Sequence, residues 1–190
     1  MELFEILAES PWLLTGSVFV LALLVGSFLN VVIFRLPIML DRQWRAQAEE
    51  MLGSESSAPP PTADSPPTRY NLATPRSTCP HCNAAIKAHQ NIPVLSYLLL
   101  GGKCANCGVP ISPRYPIVEL VTALLSAAVV WHFGWDWQTV AALCFTWELV
   151  ALTVIDLDHQ ILPDVITLPL LWLGLLLSLA WHAGLTPPTP

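Results

Sequence analysis

Two cysteine pairs and a cluster of aspartates are the residues of this 190-residue chain whose types and spacing suit chemistry. Cys79-Pro-His-Cys82 and Cys104-Ala-Asn-Cys107 are C-x2-C knuckles separated by residues 83–103. A two-residue gap lets both sulfurs of one turn face one ion, so two such turns offer four thiolates to a tetrahedral Zn²⁺. Pro80 inside the first knuckle and Gly108 after the second suit tight turns. Four sulfurs close the coordination shell, which makes the expected site structural rather than catalytic. An iron site on the same sulfurs, or free or redox-active thiols, are the alternatives that the spacing leaves open. His81 and His89 read as solvated bystanders, and Cys144 as a residue of an apolar segment rather than a ligand.

The aspartates lie in Asp156-Leu157-Asp158-His159-Gln160-Ile161-Leu162-Pro163-Asp164. Asp156 follows the apolar run 150–155 with no polar buffer, so its carboxylate starts at an apolar boundary. Ionisable groups there are costly and point to function; polar dressing of a turn between membrane segments is the alternative, and the residues alone do not choose. Asp158 is about 200° round a helix from Asp156 and cannot face it while the helix continues. Asp164 could fold back only by a sharp turn at Pro163. Both read as positioning or surface residues. Glu148, two helical turns earlier, reads as a structural hydrogen-bonding group with no assigned role.

The elements that must carry these groups are membrane helices. Apolar residues make up 54% of the chain and charged residues 12%, with a mean hydropathy of +0.56. Soluble domains carry roughly 25% charge, so an ordinary soluble enzyme is excluded. The net charge of −6 and pI near 5.2 exclude a nucleic-acid binder, and the apolar content excludes a wholly disordered chain. Every Lys and Arg falls between Arg35 and Arg114, a bias that places this stretch on the cytoplasmic side, where disulfides are disfavoured. Four charge-poor stretches, 12–34, 117–133, 138–155 and 165–182, are the expected spans. The first has acidic rather than basic residues before it and no small-residue cleavage site after it, so it is no secretory signal. None shows the alternation of a membrane β-barrel. Trp12, Trp131, Trp135, Trp137 and Trp181 fall at the expected outer ends, where an interfacial belt belongs.

The expected fold is thus an all-α polytopic membrane protein, with four transmembrane helices and a cytoplasmic zinc loop. Residues 1–36 hold an N-terminal segment and the first span, 37–116 the loop, and 117–190 the other spans. Within the loop, 41–52 suggests a short amphipathic helix with Asp41 as N-cap. Residues 54–68, rich in Pro, Ser and Ala, form a flexible, partly polyproline linker, and 79–107 carry the knuckles. No internal repeat is evident. Residues 91–104 are apolar enough to press against the membrane or the helix bundle.

Gly26-Ser27-Phe28-Leu29-Asn30, Arg35-Leu36-Pro37, both cysteine pairs, the run from Arg114 to Glu119 and the run from Ile155 to Asp164 resemble, in order, the bacterial type IV prepilin peptidases. These are bifunctional inner-membrane enzymes of the GxGD aspartic type. The resemblance implies cleavage of the leader of prepilins and pseudopilins on the cytoplasmic side. It further implies methylation of the new N-terminus by S-adenosylmethionine, whereas zinc in the loop, the bilayer as surroundings and no nucleic-acid partner are expected from the cysteine spacing, the hydropathy and the charge. Asp156 stands at the family's first catalytic aspartate. The second belongs to a Gly-x-Gly-Asp motif in a later span, and these 190 residues contain none. The chain is therefore expected to be an N-terminal portion of an eight-span protein, with half an active site and no peptidase activity alone. No Gly-rich cradle for S-adenosylmethionine follows a strand, so its contacts are unknown. A non-catalytic membrane adaptor with a zinc-stabilised loop, or a metal or thiol sensor, would carry the same cysteines without needing Asp156.

Overall fold

A computed structural model describes residues 10–52, 70–86 and 88–183. The linker expected at 54–68 lies outside them. Among the described residues the regular elements are helices: α1 (Pro11–Met51), α2 (Leu95–Leu99), α3 (Arg114–Phe133), α4 (Trp137–His159) and α5 (Asp164–His182), with a 3₁₀ turn at Ala88–Asn91. Two single antiparallel bridges, Thr78 to Ala85 and Lys103 to Pro110, are the only strand-like pairings among them.

α1, α3 and α4 are each long and apolar enough to cross a membrane. They pack on one another, α1 most extensively against α3. The fourth span expected at 165–182 falls on α5, an apolar helix of 19 residues that is not among the three long and apolar enough to cross a membrane and that meets the bundle chiefly through α4. Leu29, Ile33, Leu36, Val118, Val150, Ala151 and Ile155 form the core at one end of the bundle. Leu14, Val130 and Leu143 form a smaller cluster at the other, where the Trp12 and Trp131 rings lie 4.8 Å apart.

Small residues let α1 and α3 approach closely. Ala22, Ala123, Thr122 and Ser126 are fully enclosed, and a Cβ on Gly26 would come within 2.7 Å of Glu119 Cα. In lipid, where apolar surface gives helices little reason to prefer each other over acyl chains, such close contact drives association. The Thr122 hydroxyl donates to the Val118 carbonyl, while Trp147 Nε1 donates to Ser126 Oγ at 2.9 Å and ties α4 to α3.

One element differs from expectation. The first span and the amphipathic segment 41–52 are a single 41-residue helix that runs through Pro37. A proline inside a helix removes one backbone bond and crowds the preceding turn. Here Pro37 is buried in the bundle, and the residues beyond it are good helix formers. Asp41 consequently pairs with Arg45 one turn on, at 2.9 Å, instead of capping a new helix. From Arg35 to its end, α1 extends about 24 Å beyond the charge-free stretch at 1.5 Å per residue.

Candidate functional site

The four cysteines come together although their knuckles are far apart in sequence. Their Sγ atoms all lie within 4.8 Å of one another, with Cys79 and Cys107 sulfurs 3.8 Å apart. A tetrahedral ion with bonds of about 2.3 Å needs sulfurs about 3.8 Å apart, so the set can hold a metal ion. The knuckles are built alike. Cys79 N–H donates to the Ala84 carbonyl and Asn83 N–H back to that of Cys79. Cys104 N–H likewise donates to Val109, and Gly108 N–H back to Cys104. Each turn closes on a left-handed residue, Asn83 at φ 55° and Gly108 at φ 70°, which Asn and Gly adopt with least strain. The two knuckles are thus a structural repeat that the amino-acid identities do not display.

The surroundings favour the thiolate at Cys82 and Cys104. The Asn106 side-chain amide and the N–H of Ala84 hold Cys82 down at about 6. The N–H groups of Cys107 and Asn106 lower Cys104. Val109 N–H pulls Cys107 the same way, but lost hydration and the three neighbouring sulfurs push it up to about 11. Four sulfurs repel each other's charge, and a divalent cation removes that repulsion. His81 is exposed, and Cys144 lies on α4, away from the cluster. The side chain of His89 lies outside the described residues.

Four contacts hold this module and the start of α3 to one end of the bundle. Arg35, only 8% exposed, donates through Nη1 to the Asn71 and Leu72 carbonyls and through Nη2 to that of Pro75. Arg42 lies over the Tyr70 ring, 4.3 Å from its centre. Asn30 Nδ2 donates to the Tyr115 carbonyl at 3.0 Å. Glu119 accepts the N–H of Val94 at 2.8 Å, and its backbone packs against Gly26. Beyond their places in the runs that carry the family resemblance, the sequence signalled Glu119 as a carboxylate in an apolar stretch and Arg35 as the first charge after one. Their partners are backbone groups of remote loop residues, which no local pattern identifies.

Asp156 is exposed near the C-terminal end of α4. The helix continues to His159 and ends at Gln160, in the left-handed region, whose N–H bonds the Asp156 carbonyl. Asp158 forms an ion pair with Arg114, the first residue of α3. Asp164 is exposed in the first turn of α5. Glu148 has one buried oxygen with no partner among the described residues. The metal module, the Arg114–Asp158 pair and Asp156 therefore share one end of the bundle. Two open hollows, one between α4 and α5 along Phe145, Leu170 and Leu175 and one on α1 along Trp12, Ser17 and Leu21, are lined almost wholly by apolar groups. Neither fits S-adenosylmethionine, and no methyl-transfer step follows from them.

Comparison with known proteins bears on these residues directly. Residues 20–133 match the bacterial peptidase A24 N-terminal domain, and 142–189 match the type IV leader peptidase family. The chain is 51% identical over 185 residues to a prepilin leader peptidase/N-methyltransferase of Pseudomonas aeruginosa, covering 97% of this chain and 60% of the relative. A protein of the same name from Aeromonas hydrophila is 54% identical over 177 residues, 93% of this chain and 59% of its own. One from Neisseria gonorrhoeae is 51% identical over 160 residues, 84% and 54% respectively. The chain thus spans less than two thirds of the length of these relatives, and no solved structure matches it. With that N-terminal domain matched over more than half of the chain and the four-cysteine module lying within the match, the chain belongs to the bacterial peptidase A24 family.

Proposed function

We propose that this chain supplies the cytoplasmic metal module and one of two catalytic carboxylates of a bacterial inner-membrane prepilin peptidase and N-methyltransferase. The observation that carries this is the placement of Asp156, exposed at the end of α4 that the metal module and the Arg114–Asp158 pair also occupy. Zn²⁺ is the ion that suits four thiolates with no fifth ligand, and there it supplies a cross-link rather than a reaction. Residues 12–34, 117–133, 138–155 and 165–182 are the spans, and the clustered basic residues put the module and Asp156 on the cytoplasmic side. Prepilins and pseudopilins are the substrates, and S-adenosylmethionine is the methyl donor.

An aspartic peptidase uses two carboxylates, one activating water as a base and the other protonating the leaving amine. Asp156 serves as one. Arg114 draws Asp158 away from it and so fixes the last turn of α4. The second carboxylate is not among these residues: Asp158 is engaged by Arg114, and Asp164 belongs to the next helix. Each group in such a pair is worth about 10²–10⁴-fold in rate. The 190 residues alone are therefore expected to leave a prepilin uncleaved. Co-expression with the part of the Pseudomonas aeruginosa relative that they do not match should restore cleavage, and Asp156→Asn should abolish it. Cleavage by the 190 residues alone, lost on Asp164→Asn, would overturn the assignment.

A further inference from the structure

Residues 88–102 carry no Asp, Glu, Lys or Arg, and lysines stand at both ends, at 87 and 103. The segment is fixed at an unexpected depth. Val94 N–H is bound by Glu119, whose backbone packs against Gly26 of α1. Gly26 precedes Arg35, the first charge on α1, by about 13.5 Å of helix. The start of α2 therefore lies on the apolar side of Arg35, level with the charge-free part of a membrane helix.

Backbone can enter that layer only if its polar groups are satisfied within the protein. Most of the N–H groups from Val94 to Gly102 are satisfied in this way. Val94 N–H goes to Glu119, Ser96 to Ile92, Leu98 to Val94, Leu100 to Ser96, Gly101 to Leu98 and Gly102 to Tyr97. One face of α2 is turned to the protein: Ser96 is buried, its hydroxyl donating to the Gln90 carbonyl, and the Tyr97 ring covers Gly102. The other face is bare, with Leu95 50%, Leu98 68% and Leu99 78% exposed.

We propose that residues 92–99 form a re-entrant wedge whose leucines lie among the acyl chains of the leaflet next to the metal module. Lipid is the occupant that these observations select. The depth is that of a span, most of the backbone N–H groups are bonded within the protein, and the sequence sets a lysine at either end of the segment, the residue type that reaches headgroup phosphates. The wedge does not depend on the peptidase reading, since it needs only that α1 and α3 cross the bilayer.

The test is photo-crosslinking of the full chain in phospholipid nanodiscs. p-Benzoylphenylalanine is placed in separate variants at Leu98 and Leu99, at Leu24 in the charge-free part of α1, and at the exposed His81 of the first knuckle. The probe is apolar and the sites are exposed, so the fold is retained. Mass spectrometry should find lipid adducts at Leu98 and Leu99 at the level of Leu24, and their loss at His81. Lipid adducts at Leu98 and Leu99 no higher than at His81 would overturn the wedge. So would cross-links from both positions that run only to protein, because the covering surface would then be another helix.

Discussion

Replacing Arg35 by lysine should loosen the turn that leads into the first knuckle without disturbing the bundle. Arg35 is buried and gives three hydrogen bonds to carbonyls, at 2.9 Å to Asn71, 3.3 Å to Leu72 and 2.7 Å to Pro75. Lysine keeps the charge but loses the planar fork, and one ammonium cannot reproduce the two nitrogens of the guanidinium in these places. Hydrogen bonds from a charged donor contribute about 1.5–3 kcal/mol each, so losing two costs about 3 kcal/mol at the lower figure. That corresponds to roughly a 10²-fold rise in opening of the turn. Amide exchange reads it directly. Asn71 N–H bonds the Thr74 carbonyl, and the N–H groups of Ala73 and Thr74 bond Asn71 Oδ1 at 2.9 and 2.7 Å. These amides should exchange about 10²-fold faster in Arg35→Lys, by the same arithmetic, while those of Cys79 and Cys104 hold. Arg42→Lys, which changes only a contact with the Tyr70 ring, should act more weakly, because such contacts are worth about 0.5–1 kcal/mol. Equal exchange at residues 71–74 in the parent and Arg35→Lys would refute the clamp.

The freshly reduced full chain should hold one zinc per chain by elemental analysis, and a finding of no metal would rule out the zinc reading. Cys79→Ser should lower metal content and knuckle amide protection together, and Asn106→Ala, which removes the donor to Cys82 Sγ, should weaken affinity about 10–100-fold. A reporter active only in the periplasm should work when fused at residue 136 or 186 and stay silent at 60, 90 or 160. Activity at 90 would place the cysteines outside.

The elements were legible because hydropathy and charge are strong, local signals. A charge-free run as long as 12–34 has few soluble alternatives, and the confinement of all basic residues between Arg35 and Arg114 marked one end of the helices. The four-cysteine cluster was legible because cysteine spacing is itself local within each knuckle. The join at Pro37 was not legible, because whether a proline ends a helix depends on what its ring packs against, and that is a tertiary matter. The ties were invisible for the same reason. Arg35 is bound by the carbonyls of a turn whose sequence, Asn-Leu-Ala-Thr-Pro, could face anything. Val94 meets Glu119 through a backbone N–H, which every residue but proline possesses.

The metal module lacks the means to fold as an ordinary domain. Of its residues, Cys79, Pro93 and Ser96 are the only buried ones among those described between Tyr70 and Pro113. A unit with so little core needs cross-links or a larger body to hold it. It has both, and they divide the task by position. The four sulfurs join the two knuckles, whereas Arg35 holds the chain just before the first knuckle and Glu119 holds it between the two. Arg114 then takes the chain from the module into α3 and grips Asp158, two residues from Asp156. Any shift of the module relative to the bundle must therefore be absorbed at Arg114 or passed on to the end of α4, and this makes the loop a determinant of where the Asp156 carboxylate stands.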